Sequence, residues 1–395
     1  MMWRKILLAA AAVQIAGCTT PDRLPAVPQS LSSQATQSLG PVRYLVSRES
    51  QTFAEESKRA LERERLWLAS QGRGGDLPPA YFLAISGGGD NGAYGAGFLN
   101  GWTASGTRPE FKVVTGISTG ALIAPFAFLG PKYDYVLEKV YTTTAQKDIF
   151  KKRGLKSLLF GDAMADTTPL AGIIASYVTA DFLREIAAEH AKGRVLLVGT
   201  TNLDSLEPVI WNMTAIAASD DPRAAPLFRS ILLASASIPG AFPPVMIDVD
   251  VGGTSYQEMH VDGGTVAQLF LYPPSFSLAD APERKRVLYI IRNARLDADW
   301  ASTERRTMSI AMRSIDSMIR TQGIGDLYRV YATSERDGID FNLTYIPPTF
   351  DTPHREQFGT AYMQSLYKVA LDAAKAGPKW EKHPPGFKTP INAAE

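Results

Sequence analysis

Residues 81–85, Tyr-Phe-Leu-Ala-Ile, form an unbroken apolar run, and the stretch from Gly87 to Gly101 that follows holds seven glycines. A short continuous apolar run suits a strand buried on both faces. Glycine at such density costs chain entropy and belongs where backbone must turn sharply or approach another group closely. The chain then resumes as a helix over roughly Gly92–Ala104. Strand, bare turn and helix in immediate succession point to an α/β protein whose loops at one sheet edge carry the chemistry.

The pattern recurs downstream. Phe111–Thr115 is expected as a second strand, followed by Gly116-Ile117-Ser118-Thr119-Gly120 and an apolar helix. Helices are expected over 132–145, 180–192, 223–237, 301–335 and 357–376, the fourth with Met308, Met312, Ile315 and Ile319 on one face. Strands are expected at 194–203, 208–213, up to Asp262, at 286–293 and at 338–346. This alternation predicts a mainly parallel central sheet flanked by helices. No internal repeat or second domain is evident.

The N-terminus reads differently. Arg4 and Lys5 precede an apolar run from Ile6 to Ala16 and then Gly17-Cys18. That run is too short for a bilayer span, which takes about 20 residues, and fits a secretory signal over residues 1–17. Ile15-Ala16-Gly17-Cys18 is similar to a bacterial lipobox, so Cys18 is expected to carry lipid and anchor the chain in the membrane. Thr19 after the cysteine is compatible with the outer membrane of a Gram-negative cell. Residues 18–48 are expected as a tether, since 19–40 are rich in Pro, Ser, Thr and Gln. Residues 49–79 are read as a surface helix and a break. With a net charge of +1 and a single cysteine, the composition argues against a nucleic-acid partner and a cysteine-built metal site.

Gly116-Ile117-Ser118-Thr119-Gly120 is a GxSxG at a strand-to-helix junction, a context that exposes a serine hydroxyl at the carboxyl edge of a sheet. The helix N-terminus beneath it favours developing negative charge. Gly87-x-Gly89-x-x-Gly92 also satisfies the dinucleotide fingerprint, but that reading needs an acidic residue at the end of the next strand, and Ser118 stands there instead. No Lys-Ser/Thr follows, which excludes a P-loop. The amides of Gly87, Gly88 and Gly89 are therefore expected as an oxyanion hole serving Ser118. For a base, Asp262 ends a strand just before Gly263-Gly264, at the same sheet edge. Of the histidines, His190 is expected in solvent on a charged helix, His354 and His383 in polar or Pro-rich segments, and His260 as a structural neighbour of Asp262. Phe98, Phe126, Phe128 and Phe242 are candidates for an acyl groove or for the core.

Together these pieces resemble the patatin-like phospholipase family: GGGDNG at 87–92, GISTG at 116–120 and DGG at 262–264, in that order, with SASIPGAFPP at 235–244 between them. The resemblance spans about residues 80–350, leaving 351–395 as a C-terminal helix and tail. It implies a three-layer α/β/α fold and a Ser-Asp dyad, with Ser118 as nucleophile and Asp262 as base, acting on lipid or phospholipid esters without a cofactor or metal. Many members place Arg or Lys just before the last glycine of the first motif, where this chain has Asp90-Asn91. That substitution weakens the expected pull on phospholipid head groups. Asp90 is expected either in solvent or in local Asx bonds. Two other readings stand beside the dyad. One is a Ser-His-Asp esterase using His260 or His354. The other is an inert lipoprotein that binds lipid or a protein.

Overall fold

The computed structural model describes residues 22–37, 39–46, 50–154, 161–279, 281–297, 300 and 302–387. Nine strands make one sheet: β1 (Arg43–Leu45), β2 (Ala80–Ile85), β3 (Val113–Ile117), β6 (Val195–Asn202), β7 (Glu207–Asn212), β8 (Val245–Val251), β9 (Thr254–Asp262), β10 (Arg286–Arg292) and β11 (Asp340–Tyr345). The two-residue strands β4 (Lys151–Lys152) and β5 (Ala165–Asp166) pair apart from it. The spatial order is β1-β7-β6-β3-β2-β10-β11, and the five strands from β6 to β11 run parallel. β7 and β1 extend one edge antiparallel, and the β8–β9 hairpin pairs with the end of β6. The parallel part starts in the middle at β2, builds outward through β3 and β6, then returns to add β10 on the other side. β2 thus sits at a topological switch point, with a crevice beyond its carboxyl end.

Side-chain alternation along the parallel strands splits the core in two. Leu83, Ile85, Val114 and Val198 face one layer, while Phe82, Ala84, Leu197 and Ile290 face the other. The flanking helices that matter below are α1 (Ser50–Ser70), α2 (Gly92–Ala104), α3 (Thr119–Leu129), α4 (Asp134–Thr143), α5 (Thr168–Tyr177), α6 (Ala180–Ala191), α7 (Ala224–Ser235), α8 (Thr307–Arg336) and α9 (Thr360–Lys375). α9 lies along α2 at backbone contact: a Cβ on Gly97 or Gly101 would stand 2.2 Å from Tyr367 O or 2.3 Å from Leu371 O. The expected C-terminal appendage is therefore part of the body. Glu381 bridges to Leu343 of β11, and Trp380 packs on Phe98, Trp102 and Tyr289.

Three expectations need correction. The described part of the tether is not loose. β1 pairs with β7 and buries Tyr44, Arg23 forms a bidentate pair with Asp204, and Ala35 packs on Val249 and Val251. Its polar composition concealed a few well-spaced apolar anchors. α5 and β8 were not foreseen, because a Thr-Pro start and alternating Asp residues dilute their apolar patterns. The long helix begins at Thr307 and buries its C-terminal half through Leu327 and Val330, whereas Ile315 is exposed. Cys18 and the signal segment lie outside the described residues. Among the described residues no helix is long and apolar enough to cross a membrane.

Candidate active site

β6 brings the two principal candidates together. Ile117, the last residue of β3, pairs with Gly199, and Asp262, the last residue of β9, pairs with Thr200, the next position on the same strand. Ser118 and Asp262 thus meet end to end across a single strand. The junction requires bare backbone: a Cβ on Gly263 would stand 2.5 Å from Gly199 O, and one on Gly120 would stand 2.2 Å from Ile85 O. Gly116 is confined likewise, since its Cβ would meet Gly120 O at 2.4 Å. Ser118 itself has φ 55° and ψ −126°, a strained conformation for a residue with a side chain. Its N–H donates to Ser235 Oγ at 3.0 Å, and Ser235 in turn donates to Gly199 O at 2.7 Å, so α7 clamps the turn.

From this turn Ser118 Oγ donates to Asp262 Oδ2 at 2.6 Å. The other carboxylate oxygen accepts the Gly264 N–H at 2.7 Å. Burial raises the Asp262 pKa from 3.8 to about 7, outweighing the opposing pull of those two hydrogen bonds. A carboxylate so placed is a far stronger base than one in water, and it keeps the ionised form near neutral pH.

The glycine-rich loop supplies donors, with one correction. Gly87 N–H already donates to Gln268 O at 3.2 Å and is not free for an oxyanion. Gly88 and Gly89, by contrast, have no acceptor for their amides among the described residues, and both have positive φ, 157° and 58°. The loop is fastened by Asn293, which the sequence reading missed. Its amide donates to Ser86 O at 2.8 Å, its Oδ1 accepts Gly95 N–H at 2.9 Å, and a Cβ on Gly88 would stand 2.1 Å from its carbonyl oxygen. An Asn directly after the strand at 286–292 was the available signal. Gly92, at the head of α2, leaves room for Thr119, whose hydroxyl bonds Tyr141 at 2.6 Å.

Residues 83–273 match the family described as patatin-like phospholipase. That stretch is similar to the patatin-like phospholipases. Solved structures that align with it include VipD from Legionella pneumophila, at 12% identity and a TM-score of 0.33 over 75% of this chain and 66% of that one. Human GIVD cytosolic phospholipase A2 aligns at 11% identity and a TM-score of 0.35, covering 78% and 55%. The type III effector ExoU aligns at 12% and 0.27, covering 76% and 53%. The chain thus spans 53% to 66% of the length of these structures. No curated protein matches it.

The histidine rings that make hydrogen bonds do so with residues other than Ser118 and Asp262. His260 is fully buried, with Nδ1 2.9 Å from Thr200 Oγ1 and Nε2 3.2 Å from Glu258 Oε2. Thr200 already accepts the Trp211 indole N–H at 2.8 Å, which leaves its own proton for Nδ1 and the Nε2 proton for Glu258. Burial lowers the pKa of this ring, so it is a neutral structural residue. His354 Nε2 lies 2.7 Å from Asp90 Oδ2, which also accepts Phe358 N–H at 2.7 Å. Asp90 is therefore neither in solvent nor in a local Asx bond. It straps the segment after β11 to the glycine loop. His190, expected in solvent, is half-buried beside Arg63, and desolvation lowers its pKa to about 4. His383 contacts Tyr331 at 3.1 Å.

Ser118 and Gly89 stand at the mouth of an apolar cavity between α3, α4, α5 and α7. Leu122, Phe126, Val140, Ile174, Leu232 and Phe242 line it, and the space with its open mouth measures about 930 Å³. Phe126 and Phe242 thus face the cavity, while Phe98 and Phe128 belong to the core. Among the described residues no cluster of His, Cys, Asp and Glu is arranged to hold a metal ion.

Proposed function

We propose that the protein is a serine acyl hydrolase that cleaves fatty-acyl esters of lipids through Ser118 and Asp262. The observation that carries this reading is the 2.6 Å bond from Ser118 Oγ to the buried Asp262 carboxylate at the mouth of an apolar cavity. Asp262 takes the Ser118 proton as the hydroxyl oxygen attacks the ester carbonyl. The amides of Gly88 and Gly89 hold the oxyanion, and such preorganised donors contribute about 3–4 kcal/mol each to transition-state stabilisation. Collapse expels the alcohol, which leaves with the proton from Asp262, and the acyl group stays on Ser118. Water then gives a proton to Asp262, attacks the acyl-enzyme and releases the fatty acid, and Ser118 regains its proton. The apolar cavity suits the acyl chain, whose burial contributes about 0.8 kcal/mol per methylene. A triad through His260 or His354 is disfavoured, since the His260 ring nitrogens face Thr200 and Glu258 and His354 Nε2 faces Asp90.

The test is a panel of phospholipids, diacylglycerols and short esters given to wild type, Ser118→Ala and Asp262→Asn. Hydrolysis is expected for wild type alone, together with Ser118-dependent labelling by a fluorophosphonate. Activity that survives both substitutions would overturn the reading, and a wild type inert to ester and probe would favour the binding lipoprotein. Cell-envelope attachment through a lipid on Cys18 belongs to the same proposal, on the lipobox-like sequence before that residue. Cys18→Ser is expected to move the protein out of the membrane fraction.

A further inference from the structure

A second large cavity lies at the opposite end of the sheet from Ser118, in the other core layer. Its floor is a row of paired residues at the amino ends of the parallel strands: Arg286 with Ala80, Phe82 with Val113, and Val113 with Val195. β3 runs from this floor at Val113 to Ser118, a separation of roughly 17 Å at about 3.3 Å per residue. Strands inside a parallel sheet are covered on both faces, yet Val113 and Val195 are only half-buried. Leu61 of α1 walls one side and Leu278 the other, and the space with its open mouth measures about 1650 Å³. α1 is braced above the floor. A Cβ on Gly193 would stand 2.2 Å from Ala60 O, and Phe53 packs edge-on against Tyr44 and Phe276 at 5.3 and 5.1 Å.

The charges around this cavity are one-sided. Lys58, Lys112, Arg284 and Arg286 line it against one carboxylate, Glu64. Arg284 takes both Glu64 oxygens, at 2.9 and 3.0 Å, and Lys112 Nζ stands 2.9 Å from the same Oε2. Two cations thus share one carboxylate, and the buried Lys112 Nζ has no well-directed hydrogen bond. Desolvation lowers its pKa to about 8, which leaves it largely protonated at neutral pH. Arg286 donates to a carbonyl, Pro282 O, at 2.7 Å, and among the described residues it meets no carboxylate. Positive charge beside an apolar floor is unfavourable unless an anion joins it. A molecule with a hydrocarbon tail and one anionic end satisfies both surfaces, and the paired oxygens of a carboxylate match a guanidinium fork.

We propose that this cavity is a second ligand site that binds a long-chain fatty acid, its tail over Val113 and Val195 and its carboxylate at Arg286 and Lys112. Binding there requires neither Ser118 nor Asp262, and it stands whether or not the protein hydrolyses esters.

The experiment uses a myristate analogue bearing a diazirine on its tail, photolysed with the full chain and mapped by peptide mass spectrometry. Label is expected on peptides of α1 and of 271–286, in wild type and in Ser118→Ala alike. Ala54→Trp, which fills the cavity from α1, should remove it. Label confined to peptides of α3, α5 and α7, around the acyl cavity, overturns the proposal, as does a wild type that takes no label. Competition against the 271–286 label reads affinity at this site alone. Laurate should compete about tenfold more weakly than myristate, for the loss of two methylenes. 1-Tetradecanol, with the same tail length and no charge, should also be at least tenfold weaker. Arg286→Gln and Lys112→Gln should each weaken myristate about tenfold and leave the alcohol unmoved. Circular dichroism and Tm establish that each variant is folded. Equal competition by acid and alcohol, or folded variants of both cations that bind myristate as wild type does, overturns the carboxylate assignment.

Discussion

Asp262→Asn is expected to stabilise the protein at neutral and alkaline pH while removing its activity. The wild-type carboxyl has a pKa of about 7 in the folded chain against an ordinary 3.8, chiefly because it is desolvated. Its folded-state pKa is raised, so folding favours the protonated acid. The penalty is absent below about pH 4, grows as pH rises toward 7 and is constant above that. At about 1.36 kcal/mol per pH unit the full penalty comes to roughly 4 kcal/mol. Asparagine remains neutral throughout, keeps an oxygen for the Gly264 N–H and turns an amide toward Ser118 Oγ. At pH 8 the variant is therefore expected to gain up to roughly 4 kcal/mol, equivalent to a Tm rise of about 5–10 °C for a chain of this size. At pH 4 the gain should vanish. Calorimetric scans of both proteins between pH 4 and 8 measure the gap, and ester hydrolysis should fall about 10²- to 10⁴-fold in parallel. A variant no more stable than wild type at pH 8, or a gap that does not change with pH, would show that the carboxylate is not held desolvated. The argument for its basicity would then fail.

Further outcomes follow from the same geometry. For wild type on a neutral ester, kcat/KM should drop about tenfold per pH unit below an apparent pKa near 7 and level off above it, and a limb near pH 4 instead would contradict the raised pKa. Ser118→Gly and Ser118→Ala should both abolish hydrolysis, but only the glycine relieves the backbone at φ 55°, with a gain of about 1–3 kcal/mol in urea unfolding. Gly88→Ala drives a methyl toward Asn293 O, 2.1 Å away, and is expected to lower kcat about 10²- to 10³-fold as the loop amides move. Its Tm should fall as well, and unchanged kinetics would exclude Gly88 from the oxyanion hole. His354→Gln, which keeps a hydrogen-bond donor near Asp90, should retain most activity, and a collapse comparable to Ser118→Ala would revive the triad.

Much of this molecule is legible from local sequence because local constraints created the patterns. A buried parallel strand must be apolar along its length, as 81–85 and 195–198 are, and the turns after such strands need glycine where backbones nearly touch. Gly116, Gly120 and Gly263 answer to contacts of 2.2–2.5 Å that leave no room for a side chain. For the same reason the 113–117 strand could be anticipated within two residues, whereas β8, with Asp at alternate positions, could not. The apolar anchors at Ala35 and Tyr44 were hidden in a polar stretch, since single buried residues carry no periodicity.

What the sequence by itself determined is the set of places where bare backbone, a hydroxyl and a carboxylate occur at the ends of buried strands. Only the tertiary structure decided how those groups are spent. Gly87 N–H is consumed by Gln268 O, Asp90 is drawn to His354 and Phe358, and Asn293 locks the loop from the end of the neighbouring strand. These partnerships join residues some 180 to 270 positions apart. Hydrogen-bond partners and desolvation are properties of packed neighbours, which no short stretch of chain contains.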